Sequence, residues 1–166
     1  MSRRLLRLEM GVFPEHALIR LNDPSVDLSA PGGPAPPNGT LISAAREQML
    51  VACAQQHVGV QLVIEEWDDA PPAFSDDYED ESKARLYLRG RLSVGAGRSG
   101  PAVASLRMAG GVGYYGVRLY TRNRDELLRR YHGLLGRADP LGDDFQLARR
   151  QLEGLEQYLI QIWRDG

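Results

Sequence analysis

Carboxylates crowd one stretch of this chain. Asp68, Asp69, Asp76, Asp77, Glu79, Asp80 and Glu81 are interleaved with Trp67, Phe74 and Tyr78. Three kinds of chemistry suit such a cluster. A hard cation such as calcium takes several carboxylate oxygens, but the order here lacks the Asp-x-Asp-x-Asp-Gly run and distal Glu of a calcium loop. Carboxylates set around aromatic anchors can also occupy a basic cleft on a protein partner, steered there by their own field. The plainest account is a solvated loop whose charges keep it wet. The second reading takes Trp67, Asp68, Asp69, Phe74, Asp76, Asp77, Tyr78, Glu79 and Asp80 as its contact residues.

A second constellation has the opposite charge. Arg118, Arg122 and Arg124 follow Tyr114-Tyr115, so Tyr115, Arg118 and Arg122 are candidates for an aromatic-lined grip on a carboxylate or phosphate. The competing account is an exposed strand end whose arginines pair with Asp125 and Glu126. Gly110-Gly111-Val112-Gly113 invites comparison with a phosphate cradle. It lacks the Lys-Ser/Thr of such a loop and precedes a strand instead of a helix, so a tight turn between strands is expected. His16, His57 and His132 show no ligand spacing, and Cys53 sits in apolar Val51-Ala52-Cys53-Ala54 as a small buried hydrophobe. No catalytic group, metal or cofactor is expected.

The elements that must position these residues are mostly strands. Leu6, Leu8, Met10 and Val12 alternate with Arg7, Glu9, Gly11 and Phe13, and Ala17–Leu21 resumes after Pro14-Glu15, which suggests two strands paired through that turn. Residues 22–40 carry five prolines and three glycines and read as an exposed loop. Residues 41–45 and 49–54 are read as strands about a polar turn, against a competing helix over 41–55. Val58–Trp67 is apolar on both faces and belongs inside a sheet. Ala84–Val94 continues the pattern, with Gly90 marking a bulge, and Val103–Met108 and Tyr115–Tyr120 follow.

Leu127, Leu128, Tyr131 and Leu134 then fall at helical spacing behind Asp125-Glu126, and residues 143–154 repeat the arrangement. Tyr158, Ile160 and Ile162 alternate with Leu159, Gln161 and Trp163 in a closing strand. The expectation is a mainly β fold: an antiparallel sandwich or jelly roll over 1–166 as one domain, with a two-helix insertion (123–155) before the last strand.

Composition narrows the function classes. The 166 residues carry a net charge of −2, so attraction to nucleic acid would need a local basic patch, and none of that size is present. One cysteine excludes an intrachain disulfide. No eighteen-residue apolar run suggests a membrane span, and the N-terminal Arg7 and Glu9 interrupt any signal-peptide core, so a cytoplasmic protein is expected.

The segments Gly113-Tyr114-Tyr115-Gly116-Val117-Arg118-Leu119-Tyr120 and Glu156-Gln157-Tyr158-Leu159-Ile160-Gln161-Ile162-Trp163 resemble the ComJ-like group of competence proteins and similar uncharacterised actinobacterial proteins. There, a glycine turn precedes a Tyr-x-Val/Leu-Arg strand and a Tyr-Leu-Ile/Val strand closes the domain. The resemblance implies a small β-sandwich and, because ComJ inhibits a DNA-degrading nuclease, an inhibitor or immunity role. It assigns no inhibitory residues. The leading expectation is a non-enzymatic protein that neutralises a protein partner such as a nuclease or toxin. The alternatives are a small-ligand sensor with a pocket using Tyr115 and Arg118, and a structural or oligomerising domain.

Overall fold

Strands form where side chains alternate, and in a computed structural model of the chain they join one sheet. The structure describes residues 1–26, 36–37, 39–73, 77–95 and 101–166. In chain order the elements are β1 (Arg4–Val12), β2 (Leu18–Asn22), β3 (Ile42–Ala45), β4 (Gln48–Ala52), β5 (Val60–Trp67), β6 (Asp80–Gly95), β7 (Pro101–Arg122), α1 (Arg124–Leu135), α2 (Asp143–Arg150) and β8 (Gln157–Arg164). The fold is mainly β, and its two helices are inserted before the last strand, as expected.

The strands follow the order β1-β5-β8-β7-β6-β2-β4-β3. The β5–β8 pair is parallel and the others are antiparallel. The two long strands belong to both layers: Tyr115–Arg122 of β7 pair with β8, whereas Ser93–Gly95 at the far end of β6 pair with β2. The single sheet thus folds over itself and encloses one core, in which Val12, Ile19, Met49, Leu62, Leu88, Leu119 and Ile160 meet. It does not close into a barrel.

The bend occurs at glycines. Gly90 has φ +102° and Gly111 has φ +69°, and the β6–β7 register shifts between Arg89 and Arg91, the bulge expected at Gly90. The expected turn at 110–113 is absent, because β7 runs unbroken from Pro101 to Arg122. These glycines have a second role in packing. The Arg164 guanidinium lies where a Cβ on Gly113 would go, and the Trp163 indole occupies the corresponding space at Gly116.

The expected β1–β2 pairing is also absent. β1 pairs with β5, and β2 pairs with β4 and β6. The chain reverses locally at a Glu15–Leu18 bridge, with His16 and Ala17 at positive φ, and this turn sends β2 to the other layer. Between 41 and 55 the strands prevail over the helix: β3 and β4 form a hairpin, and Gln48 to Val51 are all buried.

The helices make a smaller core of their own. Leu127, Tyr131 and Leu134 of α1 pack with Phe145 of α2, Val58 and Leu152. Their junction with the sheet is polar. Glu156 is fully buried, and its carboxylate accepts hydrogen bonds from Ala54 N (2.7 Å), Gln55 Nε2 (2.9 Å) and the Tyr158 hydroxyl. Arg124 Nη1 donates to Tyr158 Oη and to Ala52 O, at 2.6 Å each. This clasp joins the end of β4 to the start of β8, which no backbone ladder connects.

On the outer face a polar row crosses five strands in register: Arg7, Glu65, Gln161, Arg118 and Lys83. Glu65 is only 4% exposed. Its carboxylate accepts from Arg7 Nη1 (2.8 Å), Arg4 Nη1 (2.9 Å), Trp67 Nε1 (3.0 Å) and Gln161 Nε2 (3.1 Å). Burial alone raises the Glu65 pKa, but the four donors outweigh it and hold the carboxyl below its usual range.

Two predictions follow from this packing. Gly116→Ala drives a Cβ into the Trp163 indole and lowers unfolding free energy by about 1–3 kcal/mol, whereas Gly11→Ala, with open space around it, changes little; denaturant titration checks both. Because the folded Glu65 pKa is depressed, its stabilisation is present above the unfolded carboxylate value of about 4.3 and is lost as pH falls through the lower folded value. Glu65→Gln therefore costs about 1–3 kcal/mol near neutrality, and its gap from the native protein closes in acid; stability curves of both against pH decide it.

Candidate functional site

The acidic segment lies where the topology forces it. β5 ends at Trp67 and β6 begins at Asp80, with β8 and β7 between them. Trp67 lies beside Trp163 near the end of β8, whereas Asp80 lies beside Thr121 of β7, close to where β8 begins. The connection must cross two strands and most of their length. It does so over the outer face, as a strap.

The strap is held along its path by contacts of different kinds. At its start Asp68 Oδ1 accepts from Arg3 N (2.7 Å) and Asp68 N donates to Arg3 O (3.1 Å), while Asp69 Oδ1 accepts from Ala70 N (2.7 Å). Next, Arg118 Nη1 donates to Pro71 O (3.0 Å) and Pro72 O (3.3 Å). The Tyr78 ring then lies tilted against Tyr120, 5.6 Å between centroids, and packs with Val63 and Leu159. At the far end Glu79 N donates to Thr121 O (2.8 Å), and Glu79 Oε2 accepts from Asn123 N (3.1 Å). Thr121 Oγ1 donates to Asp80 Oδ2 at 3.4 Å. Phe74 and Asp76 lie outside the described residues.

The structure brings most of the acidic residues onto one crossing but does not treat them alike. Asp68, Asp69 and Glu79 combine exposed side chains with hydrogen bonds from backbone N–H groups, Asp80 is exposed and accepts from the Thr121 hydroxyl, and Asp77 is exposed. Trp67 is half-buried, with its indole N–H donated to Glu65. Its ring therefore belongs to the sheet's outer face at the root of the strap. Among the described residues, no group of His, Cys, Asp and Glu is arranged to hold a metal ion.

The candidate anion grip is not assembled. Tyr115 and Arg118 are three residues apart on one strand and so point to opposite faces. Tyr115 is fully buried, its hydroxyl donates to Gly111 O (2.7 Å), and burial, aided by the Glu66 charge, pushes its pKa up to about 12. The Arg118 side chain is 12% exposed; its guanidinium lies 5.5 Å above Trp163 and 3.4 Å from Glu81, and it serves the strap. Arg122 is half-buried and registers with Gln157. Arg124 has joined the Glu156 clasp, and Glu126 pairs with Arg129 and Arg130 instead.

Elsewhere, Cys53 is buried, and desolvation together with the Glu156 charge pushes its thiol pKa up, so it forms no thiolate nucleophile. His16, His57 and His132 are all exposed, and His57 stacks on Tyr131 at 5.4 Å. An open cleft of about 460 Å³ lies between Gly39–Ile42 and Asp80–Lys83, beside the far end of the strap, and is lined by neither Tyr115 nor Arg118. No helix among the described residues is long and apolar enough to cross a membrane.

Sequence reasoning missed the supports: Arg7, Glu65, Gln161 and the clasp at Glu156. A signal was present, since Glu65 and Gln161 each place a polar side chain on a strand face that Val63 and Leu159, two residues earlier, make apolar. Polar residues there must either face water or find partners.

No family model matches the chain, and no curated protein matches it in sequence. The fold has known counterparts. It is similar to ComJ from Bacillus subtilis, inhibitor of the DNA degrading activity of NucA, with a TM-score of 0.56 and 9% identity over 99% of each chain. It is also similar to the protein described as "Crocagin biosynthetic gene J", with a TM-score of 0.55 and 14% identity over 100% of this chain and 99% of that one. At such identities the likeness establishes a shared, ComJ-like fold.

Proposed function

We propose that this chain is a non-enzymatic binding protein that inhibits or regulates a protein partner, with a nuclease or toxin carrying a basic cleft as the best fit. The observation that carries this reading is the acidic strap. A connection of this length could lie loosely on the sheet; instead it is tied at Arg3, Arg118, Tyr120, Thr121 and Asn123. Its exposed carboxylates are thereby held on a rigid sheet at little further cost in ordering, and pre-organisation of that kind favours tight association. Negative charge presented this way suits the phosphate-binding surface of an enzyme that handles nucleic acid.

Two other facts support the reading. ComJ shows that this fold can serve an inhibitor, although the crocagin protein shows that it also serves a biosynthetic context. The chain's net charge of −2 gives no general pull toward nucleic acid itself. In this reading the partner is a protein.

Reversing charge at Asp69, Asp77, Glu79 and Asp80 to Lys is expected to weaken capture of the partner from the source cell by tenfold or more. Capture of the same partner at undiminished affinity would refute the reading. Arg118→Gln, which removes the tie at Pro71 and Pro72 while retaining every carboxylate, is expected to raise the dissociation constant by roughly tenfold through lost pre-organisation. Titration calorimetry with the captured partner measures it, and circular dichroism verifies that the fold is retained.

A further inference from the structure

β1 is an edge strand. It pairs with β5 and with no other strand, and no described residue hydrogen-bonds to the backbone of its second side. The opposite edge of the sheet, β3, is only four residues long, whereas β1 has nine. Long edges are normally blunted by proline, a bulge or an inward-facing charge. The irregularity in β1 lies between Arg4 and Leu6, and the strand beyond it to Val12 contains no proline and no inward charge.

The residues on this edge complement themselves. Leu6, Leu8 and Met10 face inward, opposite Glu66, Ile64 and Leu62, and are only half-buried. Arg7 and Glu9 lie on the outer face, are 39% and 55% exposed, and bond to one another at 2.6 Å. We propose that β1 is a homodimer interface, in which two copies pair antiparallel about a twofold axis through Leu8 and continue the sheet from one molecule into the other. Leu8 then faces Leu8, Leu6 faces Met10, and Arg7 of each copy faces Glu9 of the other.

Charge selects this register over its neighbours. A slip by one residue sets inward side chains against outward ones. Centring the pair on Arg7 opposes the two arginines, and centring it on Glu9 opposes the two glutamates, both unfavourable between directly facing residues. Only the Leu8-centred alignment matches apolar with apolar and positive with negative on both sides of the axis.

The test is sedimentation of the full chain over a wide concentration range. The native protein is expected to dimerise, and Glu9→Arg, an exposed site that leaves the fold intact, is expected to weaken dimerisation by tenfold or more by opposing Arg7 with an arginine. Arg7→Glu does the same from the other side, and an equimolar mixture of the two variants recovers the dimer because each then faces its opposite charge. If Arg7→Glu fails to fold after losing Glu65, the Glu9→Arg comparison decides alone. A native chain that is monomeric throughout, a Glu9→Arg variant that remains dimeric, or a mixture of folded variants that stays monomeric overturns the proposal.

Discussion

A fully buried carboxylate holds the two ends of this fold together. Glu156 has no exposed surface, and a charge in that position is tolerable only when each oxygen is satisfied. The donors come from places far apart in the chain: the backbone of Ala54, the side chain of Gln55 and the hydroxyl of Tyr158, which Arg124 bonds in turn. Removing any one leaves the buried carboxylate a donor short. The clasp therefore couples the end of β4, the start of α1 and the start of β8. Most other contact between the layers is apolar, which is strong but permits sliding, with Glu66 accepting from Gly110 N as a further polar link; the clasp specifies direction and distance.

That coupling determines what the rest of the sheet presents. With β8 seated between β5 and β7, the passage from β5 to β6 has no route except across the face. The outer row from Arg7 to Lys83 supplies that face with polar groups at strand spacing, and Glu65 and Arg118 divide the work. Glu65 draws β1 and β8 toward β5, while Arg118 holds the crossing segment down. The acidic strap is thus a product of topology before it is a product of function.

How much of this was legible follows the range of each interaction. The limits of α1 and the strand character of β3, β4, β5 and β8 rest on periodicity within a few residues, and they were readable. The bulge at Gly90 was readable for the same reason. Partners were not. Leu18 to Asn22 carries no mark of belonging to the other layer, and Gly110 to Gly113 resembles a turn until Arg164, some fifty residues later, is seen lying on it. The acidic segment was legible as a cluster, but its anchorage was not, because Arg118 announces a charge and not the carbonyls that it binds. Tyr115 misled for a simpler reason: nearness in sequence placed it with Arg118, whereas the strand period of two separates them.

Arg118 grips the strap through the carbonyl oxygens of Pro71 and Pro72. Carbonyls are common to every residue, so this one tie makes no demand on the side chains it holds, whereas the ties at Asp68, Tyr78 and Glu79 do. A lineage could rewrite the exposed side chains outside those anchors, Asp77 among them, and still find both ends of the segment mounted on the same sheet. The fold then behaves as a holder with an exchangeable label, in which the recognised identity can drift while its presentation stays constant.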